Sequence, residues 1–207
     1  NAGNDGKATF CVNSTSQDLF FSLGGTPQAG GTWSPTLSSG TGVFNPQVDA
    51  PGIYTYAFAG TQPCDSDSAV VEVVINPIPD AGQKGDAFFC TNYPPEDLFL
   101  SLSGTPQPGG TWFPALASGT GVFNPIVDAA GIYTYTLTGT PPCTDVSASV
   151  NVSIFPAPNA GTSGAANLCS NGSPIDLFTY LGGNPQTGGT WTPTLASGTN
   201  ILDPSID

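Results

Sequence analysis

Between Ala69 and Asn76 the chain alternates strictly. Ala69, Val71, Val73 and Ile75 interleave with Val70, Glu72, Val74 and Asn76. Further on, the same pattern returns as Ala148, Val150, Val152 and Ile154, now interleaved with Ser149, Asn151, Ser153 and Phe155. The first set stays apolar and so faces a core. The second drifts to Ser and Asn and so faces water, which predicts a half-buried β-strand. The segment before it, Gly52–Gly60, behaves alike: Tyr54, Tyr56 and Phe58 keep their bulk as Tyr133, Tyr135 and Leu137, while Ala57 and Ala59 become Thr136 and Thr138. A second strand with one solvated face is predicted there.

A different period marks Asp18–Gly24. Leu19, Phe20 and Leu23 recur as Leu98, Phe99 and Leu102 and again as Leu177, Phe178 and Leu181, whereas position 21 drifts from Phe to Leu100 to Thr179. Constancy at i, i+1 and i+4 predicts one helical turn. In the third occurrence Ser173-Pro174-Ile175-Asp176 reads as an N-cap, a first-turn Pro and an acid at N3. Gly42, Gly121 and Asn200 occupy one aligned position, and Gly exchanging with Asn predicts a left-handed turn residue.

All these recurrences share one period of 79 residues, without insertion or deletion. Cys11, Cys90 and Cys169 obey it, as do Trp33, Trp112 and Trp191, Asp18, Asp97 and Asp176, and Asp49, Asp128 and Asp207. A period this long means a small domain copied in tandem. The expected beads are residues 1–79, 80–158 and a truncated 159–207. The truncation suggests a piece of a longer chain. Each joint, Asn76-Pro-Ile-Pro79 and Phe155-Pro-Ala-Pro158, spaces its prolines by one residue. Such joints are stiff and extended. A thin rod is expected, lengthening by roughly 35 Å per bead, the span of a strand of about ten residues.

Composition narrows the function. Two basic residues stand against fifteen acidic ones, for a net charge of −13. Nucleic acid and anionic membrane surfaces are excluded as partners, since both require Lys and Arg. No apolar run is long enough to span a bilayer as a helix. There is no His, so base-activated Ser or Cys triads are excluded. Asp18 and Asp49 are the one candidate for a catalytic carboxylate pair. Their positions, at the start of a helical turn and within a turn, argue for structural roles, and no enzyme is expected.

Each complete bead carries two cysteines, Cys11 with Cys64 and Cys90 with Cys143, 53 residues apart in both cases. One disulfide per bead and an oxidising compartment are expected, with a buried pair of free thiols as the alternative. Closing such a loop stabilises a bead by about 4 kcal/mol in the chain-entropy model. Two thiolates without His are too few ligands for zinc. Calcium at the joints is the one cofactor worth testing. Asp65 and Asp67 become Thr144 and Val146 one period later, and Asp80 becomes Asn159, so no metal site is expected. Trp33, Trp112 and Trp191 either pack in the core or form sugar-stacking platforms along the rod. Asn13-Ser-Thr15, Asn151-Val-Ser153 and Asn171-Gly-Ser173 match the N-glycosylation pattern but do not recur in register.

Asp49-Ala-Pro-Gly-Ile-Tyr54 places an acid, then Gly, then a Tyr two residues into a strand. This resembles the tyrosine corner of immunoglobulin-like sandwiches, with Tyr133 its counterpart. Tyr56 and Tyr135 stand where antibody domains have the second inter-sheet Cys. The fold class expected is all-β: tandem immunoglobulin-like β-sandwiches, each with one short helical turn.

The phrases Gly-Gly-Thr-Trp-Ser-Pro, Gly-Ile-Tyr-Thr-Tyr and Pro-Cys at a turn resemble immunoglobulin-like or PKD-like repeats in giant surface proteins of the Bacteroidota, including gliding-motility adhesins and surface filaments. The resemblance implies export by the type IX system, an extracellular location at the bacterial cell surface, and O-glycosylation at Asp-Ser/Thr-small motifs. Asp67-Ser68-Ala69 fits that motif at Ser68, although the next bead has Val146-Ser147-Ala148. The expected role is a stalk or filament segment that spaces an adhesive region, with neighbouring repeats as its partners. The alternatives are a repeated polysaccharide-binding module, marked by a solvent-facing aromatic recurring in every bead, and self-association into filaments by strand complementation.

Overall fold

The alternating segments pair as strands because each has one face to hide. The structure, a computed structural model, describes residues 1–207. In the first bead the strands are β1 (Gly6–Cys11), β2 (Gln17–Asp18), β3 (Thr32–Ser34), β4 (Val43–Phe44), β5 (Gly52–Phe58) and β6 (Asp67–Asn76). The second bead repeats them as β7 (Gly85–Cys90), β8 (Glu96–Asp97), β9 (Thr111–Phe113), β10 (Val122–Phe123), β11 (Gly131–Leu137) and β12 (Val146–Phe155). Four strands form one sheet in the order β1-β6-β5-β3, and β2 pairs with β4 in the facing layer. The second bead has β7-β12-β11-β9 and β8-β10. The β3-β5-β6 and β2-β4 groupings match the C-F-G and B-E strands of an immunoglobulin-like sandwich. The chain is thus a tandem array of immunoglobulin-like β-sandwich beads.

The first strand runs parallel to the last, with Gly6 opposite Val71 and Cys11 opposite Asn76. The other neighbours are antiparallel, with Tyr54 opposite Val71 and Trp33 opposite Tyr56.

The core lies between the two layers. Phe44 projects from the small layer and is fully buried. Its ring stacks on Phe10, centroids 5.1 Å apart, and meets Tyr54 edge-on at 5.6 Å. Phe123 repeats this with Phe89 at 4.9 Å and Tyr133 at 5.6 Å. Burying one such ring contributes about 2–3 kcal/mol. The alternation expected for the last strand is observed over most of its length: Ala69, Val71 and Val73 are buried, and so are Ala148, Val150 and Val152, while Ile75 and Ile154 near its end are only half-buried.

The helical turn is a single 3-10 turn, Leu19–Ser22, repeated at Leu98–Ser101 and Leu177–Tyr180. Its cap differs from expectation in the third bead. Asp176 itself is the N-cap, accepting from the Phe178 N–H at 2.9 Å, as Asp18 does from Phe20 and Asp97 from Phe99. A turn of four residues leaves no room for Ser173 as cap, and residues 175–176 are already a strand, β13 (Ile175–Asp176), paired with β14 (Ile201–Leu202). The Gly42, Gly121 and Asn200 position also needs correction. Of the three, only Gly121 has a positive φ, at 90°. What Gly42 supplies is room: a Cβ there would lie 2.7 Å from both the Asp18 carboxylate and the Trp33 Nε1.

By compactness the chain divides into two units, residues 1–89 with 94–153, and residues 90–93 with 154–207. The first unit holds most of the first two beads. In the third bead, residues 164–169, aligned with β1 and β7, form no strand. The strand they would pair with, aligned with β6, has no counterpart among residues 159–207.

Candidate functional site

Two features stand apart from the core packing: the joint between the first two beads and a cleft around each tryptophan. The joint begins with Asn76, the last residue of β6. Its carbonyl accepts from the Val12 N–H at 3.0 Å, and its side-chain Nδ2 donates to the Pro141 carbonyl of the next bead at 2.8 Å. Downstream, the first residue of the second and third beads is pinned to a glutamine 27 residues later, Asp80 to Gln107 and Asn159 to Gln186, its backbone N–H donating to the glutamine side-chain oxygen; at Asn1 the terminal ammonium donates to Gln28 in the same way. Only Pro77-Ile78-Pro79 lies between these two anchors.

The joint is covalent. Cys11 is bonded to Cys143, across beads and 132 residues apart in sequence, with the Cα atoms 4.9 Å apart. The expected pairings Cys11–Cys64 and Cys90–Cys143 are not formed, and Cys64, Cys90 and Cys169 are free thiols. Strand direction is the reason. Because β1 is parallel to β6, Cys11 ends up beside Asn76, at the exit of the bead. Cys64 precedes the start of β6 at the opposite end, about 30 Å away at the rise of a ten-residue strand. A disulfide tolerates a Cα separation of no more than about 7 Å. The corresponding loop of the second bead lies at that bead's entrance, where the joint delivers it to Cys11. Both sulfurs are buried, and the Cys143 Sγ sits 3.4 Å from the Asn76 carbonyl. Closing a loop of 132 residues stabilises the pair of beads by about 5 kcal/mol in the chain-entropy model.

The second feature is an open cleft in each bead, with volumes of about 510, 590 and 280 Å³ in chain order. Trp33, Trp112 and Trp191 line the three clefts and are half-buried. Trp33 leans on Tyr56, ring centroids 5.1 Å apart, and Tyr56 in turn meets Phe20 edge-on at 5.6 Å. Trp112 and Tyr135 repeat the contact at 5.2 Å. The Tyr56 hydroxyl donates to the Gln28 carbonyl and accepts from the Gly31 N–H, both at 2.7 Å. The cleft wall is therefore held rigidly. Trp33 sits on the strand-C equivalent, β3, so packing against the sheet explains most of its surface. The strongly exposed aromatics do not recur: Phe21 (78%) aligns with Leu100 and Thr179, and Phe113 (77%) with Ser34 and Thr192.

The corner tyrosines have the expected geometry. The Tyr54 hydroxyl donates to the Ala50 carbonyl at 2.8 Å, and Tyr133 donates to Ala129 at 2.8 Å. Burial, and secondarily the nearby Asp49 or Asp128 carboxylate, raises both phenol pKa values, so the hydroxyls stay protonated donors. Asp49 binds two loop amides, Ser38 and Asn45, at 2.7 Å each. Partial burial pushes its carboxyl up, but those hydrogen bonds outweigh it and hold the pKa below the ordinary value. Asp128 and Asp207 clamp the aligned amides, a role that period alone could not reveal. At the joint, the Gly82 amide and the Thr105 hydroxyl lower the Asp80 pKa. Ser205 does the same for Asp203. Asp18 and Asp49 thus hold backbone amides rather than facing a common reacting atom. Ser68 is exposed at the second position of β6, its N–H on the Asp67 carboxylate. No group of three or more His, Cys, Asp and Glu lies close enough to hold a metal ion. No helix is long and apolar enough to cross a membrane.

Comparison with known proteins returns distant structural likenesses and nothing more. No family model matches the chain, and no curated protein matches it. Among solved structures it is similar to a three-domain immunoglobulin segment of titin, I67–I69, in an E-to-A variant, at 14% identity over 77% of this chain and 68% of that one, with a TM-score of 0.39. It is also similar to extracellular domains 3–5 of Drosophila OTK, at 14% identity over 80% of this chain and 68% of that one, with a TM-score of 0.29.

Proposed function

We propose that this chain is a segment of an extracellular stalk at a bacterial surface, built to hold an adhesive region away from the cell. One observation carries the reading: the first two beads are locked to each other by a buried disulfide and by the Asn76 side chain, through a joint of three free residues. A joint of that kind resists bending and separation, which a spacer needs and a flexible binding array does not. The disulfide also favours an oxidising location outside the cytoplasm. The resemblance of the repeat phrases to Bacteroidota surface adhesins supports the bacterial setting and export by the type IX route.

The cleft favours a second reading. It recurs in all three beads with an indole on its wall, as a string of polysaccharide grips requires. Binding of the chain to a broad glycan array, with and without calcium, separates the two. The stalk reading expects no saturable binding in either condition. Saturable binding abolished by Trp33→Ala with Trp112→Ala, in protein that keeps its thermal transition, overturns it in favour of the grip.

A further inference from the structure

The free thiols are not scattered. Cys90 and Cys169 occupy the Cys11 position, and Cys64 occupies the Cys143 position. Their local geometry repeats that of the bonded pair. The Cys11 carbonyl accepts from the N–H of Ser14, the Cys90 carbonyl from that of Tyr93, and the Cys169 carbonyl from that of Gly172, at 2.8–2.9 Å. The residue after each first strand bonds alike: Val12 N–H to the Asn76 carbonyl at 3.0 Å, and Thr91 N–H to the Phe155 carbonyl at 2.9 Å. On the loop side, Cys143 N–H donates to Thr140 and Cys64 N–H to Thr61, both at 2.9 Å. Within a bead the two positions lie at opposite ends of the sheet, so neither thiol can reach the other in its own bead.

We infer that Cys90 is the strand-end half of a second inter-bead disulfide, and that its partner is the loop cysteine of a completed following bead, one period beyond Cys143. By the same rule Cys64 is a loop half that accepts the strand-end cysteine of a preceding bead. A complete array is then a covalent chain in which every joint is stapled and no bead carries an internal bridge. This goes beyond the stalk reading, since a stalk with a single stapled joint would still be a stalk. One feature of the first joint does not carry over. Asn76 becomes Phe155, which has no side-chain donor, so the second joint lacks the bond made to Pro141. In forming the bond, two thiols lose two protons and two electrons. A disulfide oxidant, oxidised glutathione in the test, takes both and leaves as two thiols.

The test completes the third bead by appending a copy of residues 129–158 after Asp207, in register. After oxidation with glutathione, iodoacetamide labelling and peptide mass mapping read the pairing. In the 207-residue chain Cys90 labels. In the extended chain its labelling should fall by at least about tenfold, Cys169 should still label, and a peptide joining Cys90 to the new cysteine should appear. A bond from the new cysteine to Cys169, unchanged labelling of Cys90, or multimers joined through Cys64 and Cys90 of separate molecules would each overturn the inference. A second variant, with residues 159–207 replaced by a copy of 80–158, keeps the test decisive if the appended bead fails to fold.

Discussion

Pulling the chain from its two ends measures the pairing of its cysteines as a length. With Cys11 bonded to Cys143, tension runs from residue 1 to Cys11, crosses the sulfurs, and continues from Cys143 to residue 207. The 132 residues between them never extend. At about 3.6 Å per residue, reduction should therefore lengthen the fully unfolded chain by about 475 Å. Bridges inside the beads would instead hide two stretches of 53 residues. Their reduction would add only about 380 Å. Single-molecule force spectroscopy resolves a difference of that size. The total contour length is compared with and without reductant, and Cys143→Ser serves as a permanently reduced reference. A gain near 380 Å, or no gain at all, would refute both the cross-bead bond and the argument from strand direction.

Other perturbations report on single contacts. Tyr54→Phe leaves the Ala50 carbonyl without its corner partner and should cost about 1 kcal/mol, read from the urea midpoint, with Tyr133→Phe costing the same. Gly31→Ala would bring a Cβ to 2.5 Å from the Tyr56 ring and 2.6 Å from the Ala57 carbonyl. It should destabilise by about 1–3 kcal/mol. Gly189→Ala, the aligned change with open space around it, should leave the urea midpoint unchanged. Acid should weaken the Asp49 clamp. Its folded pKa lies below the ordinary value, so its contribution is complete above the unfolded pKa of about 3.9 and is lost as pH falls through the folded value. The stability gap between wild type and Asp49→Asn should then be constant from neutral pH down to about 5 and close below about 4. A gap that persists unchanged in acid would show that the carboxylate charge is not what holds the two amides.

Much of the bead was legible because three near-copies act as their own controls. Positions that stay apolar while their neighbours drift locate both long strands, and Tyr54 betrays its corner by its distance from Asp49. Less could be read where a side chain serves a neighbouring turn. The capping role of Asp176 was masked by the better-known Ser-Pro signal three residues earlier, although Asp18 and Asp97 sit at the same register without any Ser-Pro before them. Gly42 and Asn200 looked like a left-handed pair because exchange between Gly and Asn has that common cause. The actual cause at Gly42 is a tryptophan edge brought close by tertiary packing, which no local pattern encodes. Bead 3 accepts Asn there, with the Asn200 amide donating to the Asp176 carboxylate at 3.2 Å.

The cysteine pairing was hidden for a deeper reason. In a perfect tandem array, joining a residue to its own bead or to the next uses the same residues at the same density. Composition, spacing and parity of the cysteines are identical in both cases. Only the direction of the first strand separates them. An antiparallel β1 would bring Cys11 toward the start of β6 and the loop of Cys64; a parallel β1 carries it to the bead's exit and the loop of the next bead. Direction is set by the chain's path from β1 into β2 and across the small layer, a matter of topology that side-chain periodicity does not record. The consequence is mechanical. The same two thiols that would have reinforced a single small core instead tie the outgoing end of the first bead to the second.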